Sequence, residues 1–144
     1  MRLLAARPND LNLNCGIAAK AGQLRFYMMS AHTLSSFDKG AALKGGRIHG
    51  AHLVKEIVVP TMRLTDVFAK YVTAEVDFLS IDTEGFDRIV LESNDWEHHR
   101  PRIVVVETNH GPAEIKTYLS RKGYELLYSN HTNGVFWDNQ RTLL

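Results

Sequence analysis

The sequence predicts an α/β fold with a mostly parallel sheet. Two continuous segments rich in β-branched side chains, residues 76–81 and 102–106, are each followed by a segment with helical periodicity. The last part of the chain instead holds two strand-like segments, 124–128 and 134–137, joined by a turn that contains Asn133. Alternating strands and helices are typical of parallel sheets, and the closing hairpin predicts an antiparallel edge.

The N-terminal half predicts three further strands and one weakly patterned segment. Residues 11–18 alternate apolar and polar side chains, and residues 23–29 are predicted to pair with them as a hairpin. Residues 55–60 form the third predicted strand, and we expect Pro60 to end it. Residues 30–53 contain several hydroxyl groups and closely spaced glycines, which predicts a mobile loop with a short helix, or a lid over a site.

Three segments between the strands have the spacing of apolar side chains that is typical of helices. Thr61 and Thr83 are predicted to cap the first two, and Pro112 and Gly123 to mark the start and the end of the third. The residues predicted to share one face are Leu64, Val67, Phe68 and Tyr71 in the first helix, Phe86, Ile89, Val90 and Ser93 in the second, and Ile115, Tyr118, Leu119 and Lys122 in the third.

The composition predicts a single globular domain spanning residues 1–144. The chain is 44% hydrophobic and 23% charged, and its formal net charge of +1 predicts neither a nucleic-acid nor a membrane partner. Its single cysteine, Cys15, cannot form an internal disulfide, which favours a reducing, cytoplasmic compartment. No apolar stretch approaches the roughly 18 residues that a membrane helix needs, and the N-terminal segment is too short for a signal peptide.

Acidic side chains follow both central strands. Asp82 and Glu84 come directly after residues 76–81, and Glu107 ends the second segment. Because ligands bind outside the carboxyl ends of parallel strands, we expect these three carboxylates to meet at one edge of the sheet. One of them could orient or deprotonate a substrate hydroxyl. In the structural alternative Asp82 caps backbone N–H groups and Glu84 complements a helix dipole; we favour function for Asp82 and leave both interpretations open for Glu84.

The same acids raise the question of a metal ion. Oxygen ligands from Asp82, Glu84 and Glu107, with Asn109 or His110, could hold a hard divalent cation. Their spacing matches no fixed metal motif, so the sequence favours a hydrogen-bonded carboxylate that orients the loops, and we predict no metal site. His110 is expected to be a surface loop residue.

Several motifs resemble those of the FkbM-type methyltransferases. They are VDFLSIDTEG at 76–85, Asp95-Trp96, Arg100-Pro101 and IVVVE at 103–107, with TLSSF at 33–37 and EIVVP at 56–60 upstream. The resemblance implies a class I, Rossmann-like methyltransferase fold and S-adenosylmethionine as the cofactor. It implies methyl transfer to a hydroxyl of a small molecule or a sugar, catalysed by Asp82, Glu84 and Glu107. It also implies that Cys15, Gly16 and Ile17 face the adenine ring of the cofactor.

The chain departs from this family in its N-terminal part. Family members have an earlier strand with a glycine-containing turn that holds the methionine part of the cofactor, and Gly16 and Gly22 do not stand in that context. The chain therefore resembles the C-terminal portion of such an enzyme, lacking the first two strands of a sheet with the order 3-2-1-4-5-7-6. Two functions stay open: an S-adenosylmethionine-dependent O-methyltransferase, or a non-catalytic truncated α/β module that does not bind the cofactor alone.

The missing strands also predict a rearrangement. The strand at 76–81 would keep one bare edge, which is a hazard for unwanted pairing. We expect either that the N-terminal strands pair differently, or that a second copy in a homodimer covers this edge. The predicted partner in catalysis is a small-molecule substrate.

Overall fold

The computed structural model describes residues 5–141, and these residues form a mixed α/β fold with two sheets. The first sheet contains β1 (Gly16–Ile17), β2 (Gly22–Met29) and β3 (Leu53–Met62) in the order β1-β3-β2. The second contains β4 (Phe78–Ile81), β5 (Ile103–Glu107), β6 (Tyr124–Ser129) and β7 (Asn133–Asp138) in the order β4-β5-β7-β6. The helices are α1 (Lys39–His49), α2 (Leu64–Tyr71), α3 (Asp87–Glu92) and α4 (Pro112–Arg121).

The second sheet confirms the predicted arrangement of the C-terminal strands. β4 and β5 are parallel, with Phe78 opposite Ile103 and Ile81 opposite Val106. β7 lies between β5 and β6 and is antiparallel to both. The strand order is therefore the 4-5-7-6 expected for this part of the chain, and the closing hairpin is present.

The predicted mostly parallel sheet is wrong. Among the described strands, β1–β3 and β4–β5 are parallel, whereas β2–β3, β5–β7 and β6–β7 are antiparallel. The N-terminal strands form a sheet of their own instead of extending the second one. β2 pairs with β3 along its whole length, so the backbone groups that β2 turns towards β3 are hydrogen-bonded. β4 has only four residues and is too short to pair with all of β2.

The predicted hairpin between residues 11–18 and 23–29 is also wrong. β1 contains two residues and pairs in parallel with the end of β3, so β3 lies between β1 and β2. β3 also continues through Pro60, which was expected to end it. β1 pairs with β3 only at Thr61 and Met62. Among the described residues no strand therefore pairs with Pro60 on that side of β3, and its missing N–H breaks no hydrogen bond of the ladder there.

A regular helix occupies much of the segment predicted as a loop with a short helix or a lid. α1 has 11 residues, and the Asp38 carboxylate caps it by accepting a hydrogen bond from the Ala41 N–H at 2.9 Å. Its buried face includes Ala42 and Gly46. A Cβ added at Gly46 would lie 2.5 Å from the Met29 Cε, so this glycine allows the helix to approach β2 closely.

The predicted helix faces are confirmed except at Lys122, which is exposed and follows the last residue of α4, and two predicted caps are wrong. Residues from each face are buried: Leu64 and Phe68, Val90 and Ser93, and Ile115 and Leu119. They join Ile81, Val104, Val106 and Phe136 of the second sheet in one core, except Ser93, which is polar. Pro112 begins α4 as predicted, but Thr61 lies inside β3 and α3 begins after Phe86. Within residues 5–141, no helix has the length and apolar character needed to cross a membrane.

The free edge of β4 was the subject of two alternative predictions. The N-terminal strands do pair differently, as the first alternative states. Within the described part of the chain no strand pairs with the outer side of β4, and its residue Phe78 is 58% exposed. The homodimer of the second alternative stays a prediction.

A buried ion pair joins the loop before β5 to the end of β7. The Arg100 Nε and Nη2 atoms donate to the two Asp138 carboxylate oxygens at 2.9 and 2.6 Å, and the Gln140 N–H donates to the same carboxylate. The Asp138 side chain is 1% exposed and that of Arg100 is 15% exposed. Burial alone would raise the pKa of Asp138, but the hydrogen bonds from Arg100 and Gln140 outweigh it and hold that pKa below its usual value.

We expect the substitution Asp138→Asn to lower the free energy of unfolding by about 3 kcal/mol, because it leaves the Arg100 guanidinium buried without a counter-charge. Urea denaturation followed by circular dichroism measures the change. Asp66→Asn is the matched control, since Asp66 pairs with Arg63 at the surface, and it should cost much less. Equal losses in the two variants would contradict the importance of the buried pair.

The same pair predicts how stability depends on pH. The pKa of Asp138 is lower in the folded than in the unfolded chain, so its contribution is present above the unfolded value of about 3.9 and is lost as the pH falls through the folded value. We therefore expect the urea midpoint of the wild-type protein to fall with pH below about 4 more steeply than that of Asp138→Asn. Parallel pH profiles would show that Asp138 is not responsible.

Candidate functional site

The carboxyl ends of β4 and β5 bring acidic side chains together at one edge of the second sheet. Because Ile81 lies opposite Val106, Asp82 and Glu107 directly follow paired residues. One potential ligand atom from each of Glu84, Glu107 and His110 lies within 4.8 Å of the other two. We call these three residues the rim cluster. The predicted gathering of acids is confirmed for Glu84 and Glu107, and His110, which is an exposed loop residue as expected, lies beside them.

The loop that carries Glu84 is held by the carboxylate of Asp87. Asp87 is 2% exposed and accepts hydrogen bonds from the Thr83 N–H and hydroxyl, both at 2.9 Å, and from the Gly85 N–H at 3.1 Å. Thr83 was predicted to cap α3 but acts as a donor to this carboxylate. The closed turn between β4 and α3 therefore depends on the Asp87 carboxylate.

Asp82, unlike Asp87, does not hold the loop through hydrogen bonds of its side chain. It is exposed, and within residues 5–141 its carboxylate accepts no hydrogen bond from the backbone. The structural alternative for Asp82, capping of backbone N–H groups, is thus filled by Asp87 instead. Asp82 is left accessible beside the rim cluster, which is compatible with a role towards a substrate.

The first sheet and α1 also fix the loop. The buried Ser36 hydroxyl donates to the carbonyl oxygen of Glu84 at 2.8 Å. Gly85 has a φ of 93°, and a Cβ added there would lie 2.9 Å from the Ala41 Cβ and 3.5 Å from the His110 Cγ. Only glycine allows α1 and His110 to approach the loop this closely. Ser36 belongs to the TLSSF motif at 33–37, but the sequence does not show this contact, because Ser36 and Glu84 are 48 positions apart.

The backbone of Glu84 is strained. Its φ of 53° is the only positive value at a non-glycine residue among those described. This left-handed conformation costs a residue with a Cβ roughly 1–2 kcal/mol. Strain of this kind is often found at functional sites, where the surrounding structure enforces it.

Burial and like charges act together on the two glutamates. The pKa of Glu84 is raised mainly by partial burial, and the nearby carboxylates of Glu107 and Asp82 raise it further. Burial also raises the pKa of Glu107, and Asp87 and Asp82 add to that effect against the hydrogen bond from Asn109. Glu107 is 5% exposed; its Oε1 accepts from the Asn109 Nδ2 at 2.8 Å, but its Oε2 is buried and has no hydrogen-bond partner.

The residues predicted to face a cofactor have packing roles. A Cβ added at Gly16 would collide with the ring of Phe37, which itself stacks against Phe86 with ring centroids 5.6 Å apart. Ile17 packs against the core, and Cys15 is a half-buried free thiol. These contacts explain Gly16 and Ile17 without a ligand. Cofactor binding by Cys15, Gly16 and Ile17 stays a prediction.

A groove of about 340 Å³ lies next to these residues. It is lined by residues 18–24 with Thr61, Phe86 and Ile89, and its surface is mostly apolar. Such a surface suits an adenine ring. Among these lining residues no carboxylate is present to bind ribose hydroxyl groups, and Lys20 supplies the one charge. The lining residues thus fit the adenine part of S-adenosylmethionine and not the remainder.

Comparison with protein families gives a match that covers most of the chain. A family model described as the methyltransferase FkbM domain matches residues 2–126. No curated protein and no solved structure matches the chain. The matched residues include β4, β5, the rim cluster and Asp82.

We expect Glu84→Gly to be more stable than Glu84→Gln by roughly 0.5–1 kcal/mol, because both variants remove the charge but only glycine relieves the positive φ. Thermal unfolding followed by differential scanning calorimetry measures the difference. If the glycine variant is no more stable than the glutamine variant, the backbone at Glu84 is not strained.

Proposed function

Because the chain belongs to the FkbM methyltransferase family, we propose that it transfers a methyl group from S-adenosylmethionine to a hydroxyl of a sugar or another small molecule. The observation that carries this proposal is the parallel pairing of β4 with β5, which leads Asp82, Glu84 and Glu107 to one edge of the sheet. This edge is where ligands bind in open α/β sheets. Family membership gives the reaction class, and the edge supplies residues suited to it.

The residues at this edge are proposed to accept the proton of the substrate hydroxyl. A free hydroxyl is far too weakly acidic to ionise at neutral pH, so a positioned base assists its attack on a methyl group. S-adenosylmethionine supplies that methyl group when bound. The exposed Asp82 can accept a hydrogen bond from the acceptor hydroxyl and then its proton. Glu84 and Glu107, whose pKa values are raised, hold the acceptor beside it.

The second function left open by the sequence, a non-catalytic α/β module, has its own support. Phe37 fills the space beside Gly16, and the groove along residues 18–24 fits only the adenine part of the cofactor. The two functions differ in one measurable property, which is cofactor binding by this chain.

We expect the chain to bind S-adenosylhomocysteine in calorimetric titration, and to transfer labelled methyl groups from S-adenosylmethionine to a member of a panel of monosaccharides and small polyhydroxylated compounds. Asp82→Asn should lower turnover by about 10²-fold, because it removes the base, with no change in affinity for S-adenosylhomocysteine. Asp77→Asn is the matched control, since Asp77 precedes the same strand at its opposite end and should leave turnover unchanged.

Two outcomes would count against the proposal. Absence of heat with S-adenosylhomocysteine would favour the non-catalytic module for this chain. Equal turnover in Asp82→Asn and the wild-type protein would remove Asp82 from the mechanism.

A further inference from the structure

We propose that Glu84, Glu107 and His110 form a binding site for a divalent transition-metal cation such as Mn²⁺. Their potential ligand atoms all lie within 4.8 Å of one another. Three ligands of one cation, each about 2.2 Å from it, cannot all be more than about 3.8 Å apart. The 4.8 Å limit on the rim cluster therefore leaves at most about 1 Å for side-chain rotations to close.

The buried carboxylate of Glu107 is the independent observation that points to a ligand. Glu107 is 5% exposed, and only one of its two oxygens is occupied, by the Asn109 side chain. Its Oε2 is buried without a hydrogen-bond donor. Buried ionised groups are found paired or bound to a metal, since an unpaired one is costly. The sequence favoured a carboxylate satisfied by hydrogen bonds, and the single donor at Glu107 argues against that interpretation.

No ion pair with lysine or arginine compensates the negative charge around this oxygen within residues 5–141. The ion pairs of the described residues join other acids, and none of them includes Asp82, Glu84, Asp87 or Glu107. Burial raises the pKa values of Glu84 and Glu107, and His110 lowers them in part as a nearby positive charge. A cation of the solvent can add the counter-charge that no lysine or arginine of the described residues supplies. Lysine or arginine at this edge would have favoured the simpler interpretation of a structural ion pair.

The donor set indicates the class of cation. Mg²⁺ and Ca²⁺ prefer oxygen ligands alone, whereas two carboxylates with one imidazole suit first-row divalent ions such as Mn²⁺ and Zn²⁺. Two of the ligands are also held in place from outside: Ser36 binds the Glu84 carbonyl, and Gly85 lies against the His110 ring. Three protein ligands leave coordination positions for water or a hydroxyl. Use of those positions in methyl transfer rests on the proposed function, whereas cation binding does not.

Titration of the full chain with Mn²⁺, followed by the electron paramagnetic resonance signal of the free ion, tests the site. We expect one equivalent of Mn²⁺ to bind. Glu84→Gln, Glu107→Gln and His110→Gln should each weaken binding about tenfold or more. The matched controls Glu125→Gln and His131→Gln, both at exposed positions, should bind as the wild-type protein does. His110 is itself exposed, so His110→Gln tests coordination without disturbing the core.

Absence of binding at millimolar Mn²⁺ would overturn the proposal. Binding that none of the three rim variants weakens would also overturn it, because it would show attraction to surface acids in general. Titration of the same protein with S-adenosylhomocysteine separates this result from the proposed function. Loss of one kind of binding with retention of the other shows which of the two proposals fails.

Discussion

The parallel pairing of β4 with β5 is the constraint on which the site depends. Val104 and Val106 of β5 are completely buried, and Ile81 of β4 is nearly so. Side chains alternate along a strand, so a slip of one residue would expose these side chains and bury others. Apolar packing therefore fixes the register, and the register determines which residues emerge at the carboxyl edge. The acids lie together because the apolar side chains before them cannot be placed otherwise.

Packing of the strands does not by itself hold Glu84 in place. The turn after β4 would be free to rearrange without its three hydrogen bonds to Asp87 and the contact from Ser36. These bonds keep a non-glycine residue in a left-handed conformation beside other carboxylates, which is unfavourable twice over. An arrangement that is strained and electrostatically unfavourable yet firmly held is more easily explained by binding than by stability.

Local patterns in the sequence predicted the parts of the fold that local physics determines. β4, β5, the closing hairpin and the apolar helix faces follow from periodicity, and the acids follow from their position after strands. Partner choice does not follow, because the alternation in residues 11–18 is compatible with β3 as neighbour as well as with β2. The sequence predicted at most a short helix where the 11-residue α1 lies, because Gly46 weakens helical propensity and a local pattern does not show the packing of this glycine against Met29. The sequence also did not show that Asp87, and not Thr83, accepts the hydrogen bonds of the turn after β4. Asp and Thr both cap turns, so residue type alone does not distinguish them.

The first sheet stands apart from the second, yet it contributes to the site. Its hydrogen-bonded strands never reach β4, but the segment between β2 and α1 brings Ser36 to the Glu84 carbonyl and Phe37 to Phe86. α1 then places Ala41 against Gly85. If the first sheet continued into the second, its strands would pair with the backbone of β4. In the observed arrangement, side chains from the N-terminal half instead contact the loop that follows β4. The N-terminal half therefore acts on the candidate site through the loop, and the geometry of the rim cluster depends on both sheets.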